Sequence, residues 1–269
     1  MSETDPAFRW RSVLLSALLP TVLFSIGQGA VLPIIPVVAK DAGATLALAG
    51  LVATMIVLGQ VIGDIPSGVL IARIGERTAM LGAAGLAIAG LVVAFFARDP
   101  LVLGVGILID GIATAVFALA RHAFMTTYVP LQYRARALSS LGGTFRLGGL
   151  VGPFIGAGVI QLSGDPRNVF WVQIAGCLGA AIVLLALRDP GAAFERTAAV
   201  RPAARTEGEE FVASESRGLF ATVRRHRRVL LSLGLGSMAV AAVRQARQVV
   251  LPLWAVSIGL HETQTSLII

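Results

Sequence analysis

The sequence predicts an all-α polytopic membrane protein: a six-helix transmembrane bundle, a polar loop and the start of a second bundle. Three observations predict it. Of 269 residues, 56% are hydrophobic and only 14% charged, against about 25% charged in a soluble domain. The apolar residues gather into seven runs long enough, at about 20 residues, to cross the hydrocarbon of a bilayer. The basic residues fall between those runs, alternately dense and sparse.

The runs extend from Val13 to Ala39, Leu46 to Ala72, Ala79 to Ala97, Leu101 to Ala120, Ala137 to Leu162, Val169 to Leu187 and Val229 to Ser257. An eighth begins at Thr265 and stops after one turn at Ile269, so the chain is expected to be a fragment of a longer protein. Arg9 and Arg11 precede the first run as in a signal peptide, but its apolar character continues through Val38, well past a signal core of about 7 to 15 residues. The expected organisation is a cytoplasmic N-terminus over residues 1–12, the bundle over 13–187, a central cytoplasmic loop over 188–228, and the start of a second bundle over 229–269. Residues 188–228 carry Glu195, Glu207, Glu209, Glu210 and Glu215 among many Arg, and end in Arg224, Arg225, His226, Arg227 and Arg228, a lipid-facing anchor beside the seventh run. That seventh run resembles the first: AVLPIIPVV from Ala30 matches VVLPLWAV from Val249, aligning Leu32-Pro33 with Leu251-Pro252.

The net charge is +7, and topology accounts for it. With the N-terminus inside a cell membrane, sixteen of the 22 Lys and Arg residues lie on the cytoplasmic side, while Lys40, Arg98 and Arg167 lie outside. Nucleic acid is therefore not an expected partner. The single Cys177 and three scattered histidines offer neither a disulfide framework nor a metal site, and no cofactor motif is present. Asp64 and Asp110 lie in different runs with no partner His or nucleophile, which argues against an enzyme.

Charges inside the membrane are costly, about 3 kcal/mol or more at the centre, and mark protein- or water-facing positions. Five are candidates for transport or coupling: Asp64, Asp110, Arg146, Arg244 and Arg247. Asp110 and Arg146 lie about ten residues from a run's end, roughly 15 Å deep at 1.5 Å per residue, and are expected near one another. Asp110 is then open to two readings, a titratable group or half of a permanent ion pair. Asp64, beside Pro66 and Gly68, is open to a local structural reading. Arg244 and Arg247 share a helical face that either lines a cavity or pairs with another helix. In the fifth run Gly148, Gly152 and Gly156 recur every four residues around Pro153, a stripe on which another helix can approach closely. Gly68, Arg73, Gly75 and Arg77 form a compact cationic bend between the second and third runs.

These residues resemble the major facilitator superfamily. Gly68, Arg73, Gly75 and Arg77 are similar to its signature G-x-x-x-D-R-x-G-R-R, with Ala72 at the acidic position and Thr78 at the last basic one. Gly148, Gly152, Pro153 and Gly156 resemble the antiporter signature G-x(8)-G-x(3)-G-P-x(2)-G-G of drug:proton antiporters, with Ser139 and Ala157 where glycines stand. The helix-four signature is matched at Gly111, while Ile107 stands at its arginine and Asp110 at its glutamine. The resemblance implies two six-helix bundles rocking about a central cavity. It implies that Gly68 to Arg77 form a conformational-switch loop whose usual acidic latch is absent, Asp64 being a candidate substitute, and that Arg146 supplies the positive charge missing from helix four. The expected function is alternating-access transport of a small organic molecule, by proton-coupled efflux. An uptake carrier is the alternative, and a scaffold or sensor if the chain truly ends at Ile269.

Overall fold

The computed structural model describes residues 10–129, 131–186, 231–232, 234–240 and 243. The chain divides into two units, Met1–Pro202 and Ala203–Ile269. In the second, residues 231–232, 234–240 and 243 are helical, within the expected seventh run. Arg244, Arg247, the Leu251-Pro252 repeat, the eighth run and the loop 188–228 lie outside the described residues.

The first unit is built from α1 (Trp10–Val31), a 3-10 turn (Leu32–Ile34), α2 (Ile35–Asp41), α3 (Leu46–Ile74), α4 (Glu76–Phe96), α5 (Pro100–Tyr128), α6 (Leu131–Ser163), a second 3-10 turn (Pro166–Val169) and α7 (Phe170–Ala186). Among the described residues there is no strand. Six helical segments are long and apolar enough to cross a membrane, α1 and α2 counting as one from Leu18 to Asp41. The interruption falls at Pro33 and Pro36, which lack the N–H that an α-helix needs there. The second span, α3, starts at Thr45, whose hydroxyl accepts from Leu48 N at 3.3 Å, and α5 at Asp99, which accepts from Leu101 N at 2.7 Å.

Two expected boundaries are corrected. The fourth run was expected to stop at Ala120, yet α5 continues to Tyr128. Likewise α6 starts at Leu131, ahead of Ala137. Hydropathy marks where the chain leaves apolar surroundings, not where the helix ends, and Arg is a good helix former. What does end α5 is Pro130, which forces its predecessor Val129 into extended backbone at φ −97°, ψ 125°. Arg121, the residue after the expected end of the fourth run and one of the sixteen basic residues counted on the cytoplasmic side, is thus inside a helix. The helix α6 runs unbroken through Pro153.

Within the bundle α5 packs along α3 and α4, α1 packs along α6 and α7, and α4 meets α7. Exchanging α1 with α5, α3 with α6 and α4 with α7 reproduces the same neighbours, the pattern of an inverted three-helix repeat. The exchange extends to single bonds. Arg77, at the start of α4, donates to the Leu184 carbonyl at the end of α7. Arg167, just before α7, donates from Nη1 to the Ala97 carbonyl just after α4, at 2.7 Å. Each guanidinium meets carbonyls left free at a helix C-terminus, where the macrodipole is negative.

The two central helices meet through a Phe24–Phe117 stack, centroids 4.2 Å apart and planes 7° from parallel. Their other seams are backbone against backbone. Gly148, Gly152 and Gly156 face Ser25, Ile26, Gly29 and Ala30 of α1, so the expected glycine stripe is a packing seam. Gly59 and Gly111 make the matching approach between α3 and α5, and Gly90 and Gly106 that between α4 and α5.

These seams are selective about which glycine matters. A Cβ at Gly152 would lie 2.5 Å from Ala30 N and Ile26 O, whereas one at Gly149 meets nothing within 4 Å. Gly152→Ala is expected to lower unfolding stability by about 1 to 3 kcal/mol. Gly149→Ala should leave it unchanged or raise it by up to about 1 kcal/mol through helix propensity. Unfolding of the purified variants in detergent, followed by circular dichroism, checks the contrast.

Candidate functional site

Inside the bundle, where α1, α5 and α7 converge, four polar side chains meet. Gln173 of α7 donates from Nε2 to Asp110 Oδ1 of α5 at 2.9 Å. One turn along α5, Thr114 accepts from Gln28 Nε2 of α1 at 3.1 Å. Asp110 and Gln173 are completely buried, Gln28 and Thr114 nearly so. Gly27 makes the convergence possible, because a Cβ there would lie 2.5 Å from the Cα of Gln173. Among the described residues Asp110 Oδ2, Gln173 Oε1 and Gln28 Oε1 have no hydrogen-bond partner, so the cluster carries surplus acceptors in a place that normally leaves none.

The expected meeting of Asp110 with Arg146 is corrected. Asp110 takes its hydrogen bond from Gln173, and Arg146 is exposed on α6. Similar depth in two helices does not bring two side chains together, because each also has an angle about its own axis; Asp110 points into the bundle and Arg146 away from it. Asp64 is likewise exposed, on α3, and no hydrogen bond or ion pair joins it to a described residue. Arg146 stands near the middle of α6 and Asp64 well inside α3. The cost of charge in hydrocarbon turns both faces toward water or protein rather than lipid.

Arg121 is the charge that sequence reasoning misplaced. It is 7% exposed, and its guanidinium carbon lies 5.0 Å from the ring centroid of Phe145 on α6. Its Nε has no hydrogen-bond partner among the described residues. Below it lie the buried Phe117 and Ala120, above it Phe124 and Met125.

The bend between α3 and α4 is one residue, Gly75, at φ 80° and ψ 159°, a backbone region essentially restricted to glycine. Gly68 and Arg73 are exposed. Glu76 accepts from Thr127 Oγ1 of α5 at 2.8 Å, and Arg77 holds the end of α7. The bend thus ties α4 to α5 and α7 at one end of the bundle. Sequence reasoning missed Gln28, Thr114, Gln173 and Phe145. The two amides were visible as lone polar side chains in apolar runs, the usual glue between membrane helices.

The arrangement defines a class: a polytopic bundle of two inverted three-helix repeats with a buried polar cluster and a glycine bend between its second and third spans. The Major Facilitator Superfamily model matches residues 17–269, and the chain belongs to that superfamily. Over 165 residues it is 24% identical to uncharacterised MFS-type transporters of two Mycobacterium tuberculosis strains, CDC 1551 / Oshkosh and ATCC 25618 / H37Rv, covering 61% of this chain and 24% of each relative. Over 126 residues it is 29% identical to a triacylglyceride transporter of Mycolicibacterium smegmatis, covering 45% of this chain and 22% of that protein. The chain thus spans about a quarter of the length of these relatives.

Three substitutions probe the site. Gln173→Leu removes the one hydrogen bond to the buried Asp110 carboxyl among the described residues and is expected to cost about 1 to 3 kcal/mol, less when combined with Asp110→Leu than the two single costs added; a double-mutant cycle on unfolding stability checks this. Gly75→Ala forces a Cβ into a glycine-only conformation and is expected to cost about 1 to 3 kcal/mol, read by the same unfolding measurement.

Proposed function

We propose that the complete protein exports a small organic molecule across a cell membrane by alternating access, driven by the inward movement of protons, with its N-terminus cytoplasmic. Asp110 is the proton-carrying group. Asp64 and Arg146 are further coupling candidates in this bundle, and Arg244 and Arg247, three apart in the seventh run, are those outside the described residues. Gly68, Arg73, Gly75 and Arg77 form the switch loop, and Gly148, Gly152, Pro153 and Gly156 a seam along which α6 shifts against α1.

One observation carries the reading. Asp110 is fully buried, holds a single bond from a neutral amide, and has no cation beside it among the described residues. A lone carboxylate in a water-free interior is costly and a carboxylic acid is not. Proton occupancy at Asp110 is therefore linked to whether the helices around it admit water. Coupling follows if substrate and proton prefer different arrangements of the two halves. The residues of the antiporter resemblance in α6 favour export over uptake.

The test uses the full-length protein in a bacterial host stripped of its own exporters, with cationic, neutral and anionic fluorescent dyes. Expression is expected to lower accumulation of at least one dye, a protonophore to abolish the effect, and Asp110→Asn to abolish the protonophore-sensitive part. Raised accumulation would mean uptake. Protonophore-sensitive export that survives in Asp110→Asn would remove Asp110 from the coupling.

A further inference from the structure

Arg121 is a permanent cation that nothing in the described structure neutralises. It is nine-tenths buried in a membrane-spanning helix. No carboxylate bonds it among the described residues, and its contact is with the face of Phe145. Asp110 is the other charge on the buried face of α5, eleven residues away, which at 1.5 Å per residue is about 16 Å along the helix. A buried guanidinium without an anion is an expensive arrangement to keep.

Its neighbour indicates where the anion comes from. Phe145 is 41% exposed, so the ring that covers Arg121 on one side has its other side open. The residue after it is Arg146, exposed near mid-span and bonded to no described residue. The α6 surface beside Arg121 therefore has one open aromatic ring, a second guanidinium without a partner among the described residues and, in Gly142, Gly143 and Gly149, three glycines with no described atom within 4 Å of where a Cβ would stand. That surface is cationic, aromatic and low in relief.

We infer that Arg121, Phe145 and Arg146 form a binding subsite for an organic anion, the acid group drawn to the guanidinium groups and the apolar body resting on the Phe145 ring. The inference rests on the transport reading above and adds to it the charge class of the cargo. A planar guanidinium presents a fork of donors that matches carboxylate, sulfonate or phosphate oxygens. An anionic lipid headgroup carries the same chemistry, so the two sources have to be separated.

The experiment measures binding rather than transport, so failure of proton coupling leaves it readable. Full-length protein in phosphatidylcholine nanodiscs is titrated with benzenesulfonate and, as its uncharged counterpart, benzenesulfonamide, by calorimetry. Benzenesulfonate is expected to bind saturably and benzenesulfonamide about tenfold more weakly or not at all, the scale of a lost charge-assisted hydrogen bond. Arg121→Gln and Arg146→Gln should each weaken benzenesulfonate about tenfold, Arg121→Lys less, and Phe145→Leu should weaken it without altering the preference for the anion. Equal binding of the two probes by the unaltered protein would overturn the inference without recourse to any variant. So would full affinity in a correctly folded Arg121→Gln, or loss of benzenesulfonate binding when phosphatidylglycerol replaces part of the phosphatidylcholine, which would make the site a lipid site.

Discussion

The bundle depends on how closely backbones approach at glycine. In hydrocarbon the helices gain nothing from hiding apolar side chains, so packing and internal polar contacts have to hold them together. Gly148, Gly152 and Gly156 let α6 lie on α1; Gly59 and Gly111 do the same for α3 and α5. The polar cluster is a consequence of that closeness. Gln173 reaches Asp110 because Gly27 lets the α7 backbone lie against α1, and a larger residue at position 27 would move the amide away from the carboxyl.

The inverted repeat explains an arginine that the topology argument could only count as an exception. Arg167 lies on the side poor in basic residues, where charge placement gives no reason for it. Its bond to Ala97 is the counterpart of Arg77's bond to Leu184. Together they clasp α4 and α7, the pair that the repeat exchanges, at both ends. Arg77 therefore has a structural task besides any part in switching.

Much of the fold was legible in the sequence because bilayer physics acts on composition. The six spans followed from run length, the Gly75 turn from a glycine between arginines, and the packing seam from glycines four residues apart. The site was less legible. Depth along a helix can be counted, but the angle at which a residue faces its neighbours depends on which helices pack together, and no run of apolar residues states that. Asp110 was identified as a buried charge and given the wrong partner for this reason. Arg121 was misplaced for another: charge was taken to end the helix, although Arg sustains one as well as Leu does.

The corrected partner places the coupling candidate in a different mechanical setting. Had Asp110 paired with Arg146, a change in its charge would have acted on α6 and its glycine seam. Gln173 places the effect on α7 instead. The same helix is held about 16 Å further along, at Leu184, by Arg77 of the bend. The carboxyl accepts from the Gln173 amide through Oδ1 alone, whereas a carboxylic acid also donates, and Gln173 Oε1, without a partner among the described residues, is an acceptor for that proton. In the proposed cycle a proton arriving at Asp110 therefore rearranges the contact between α5 and α7, and α7 connects that contact to the bend between α3 and α4. In that cycle a proton on Asp110 Oδ2 bonded to Gln173 Oε1 gives partners to two atoms that have none among the described residues, so the contact between α5 and α7 gains a second discrete arrangement, which is what a switching bundle requires.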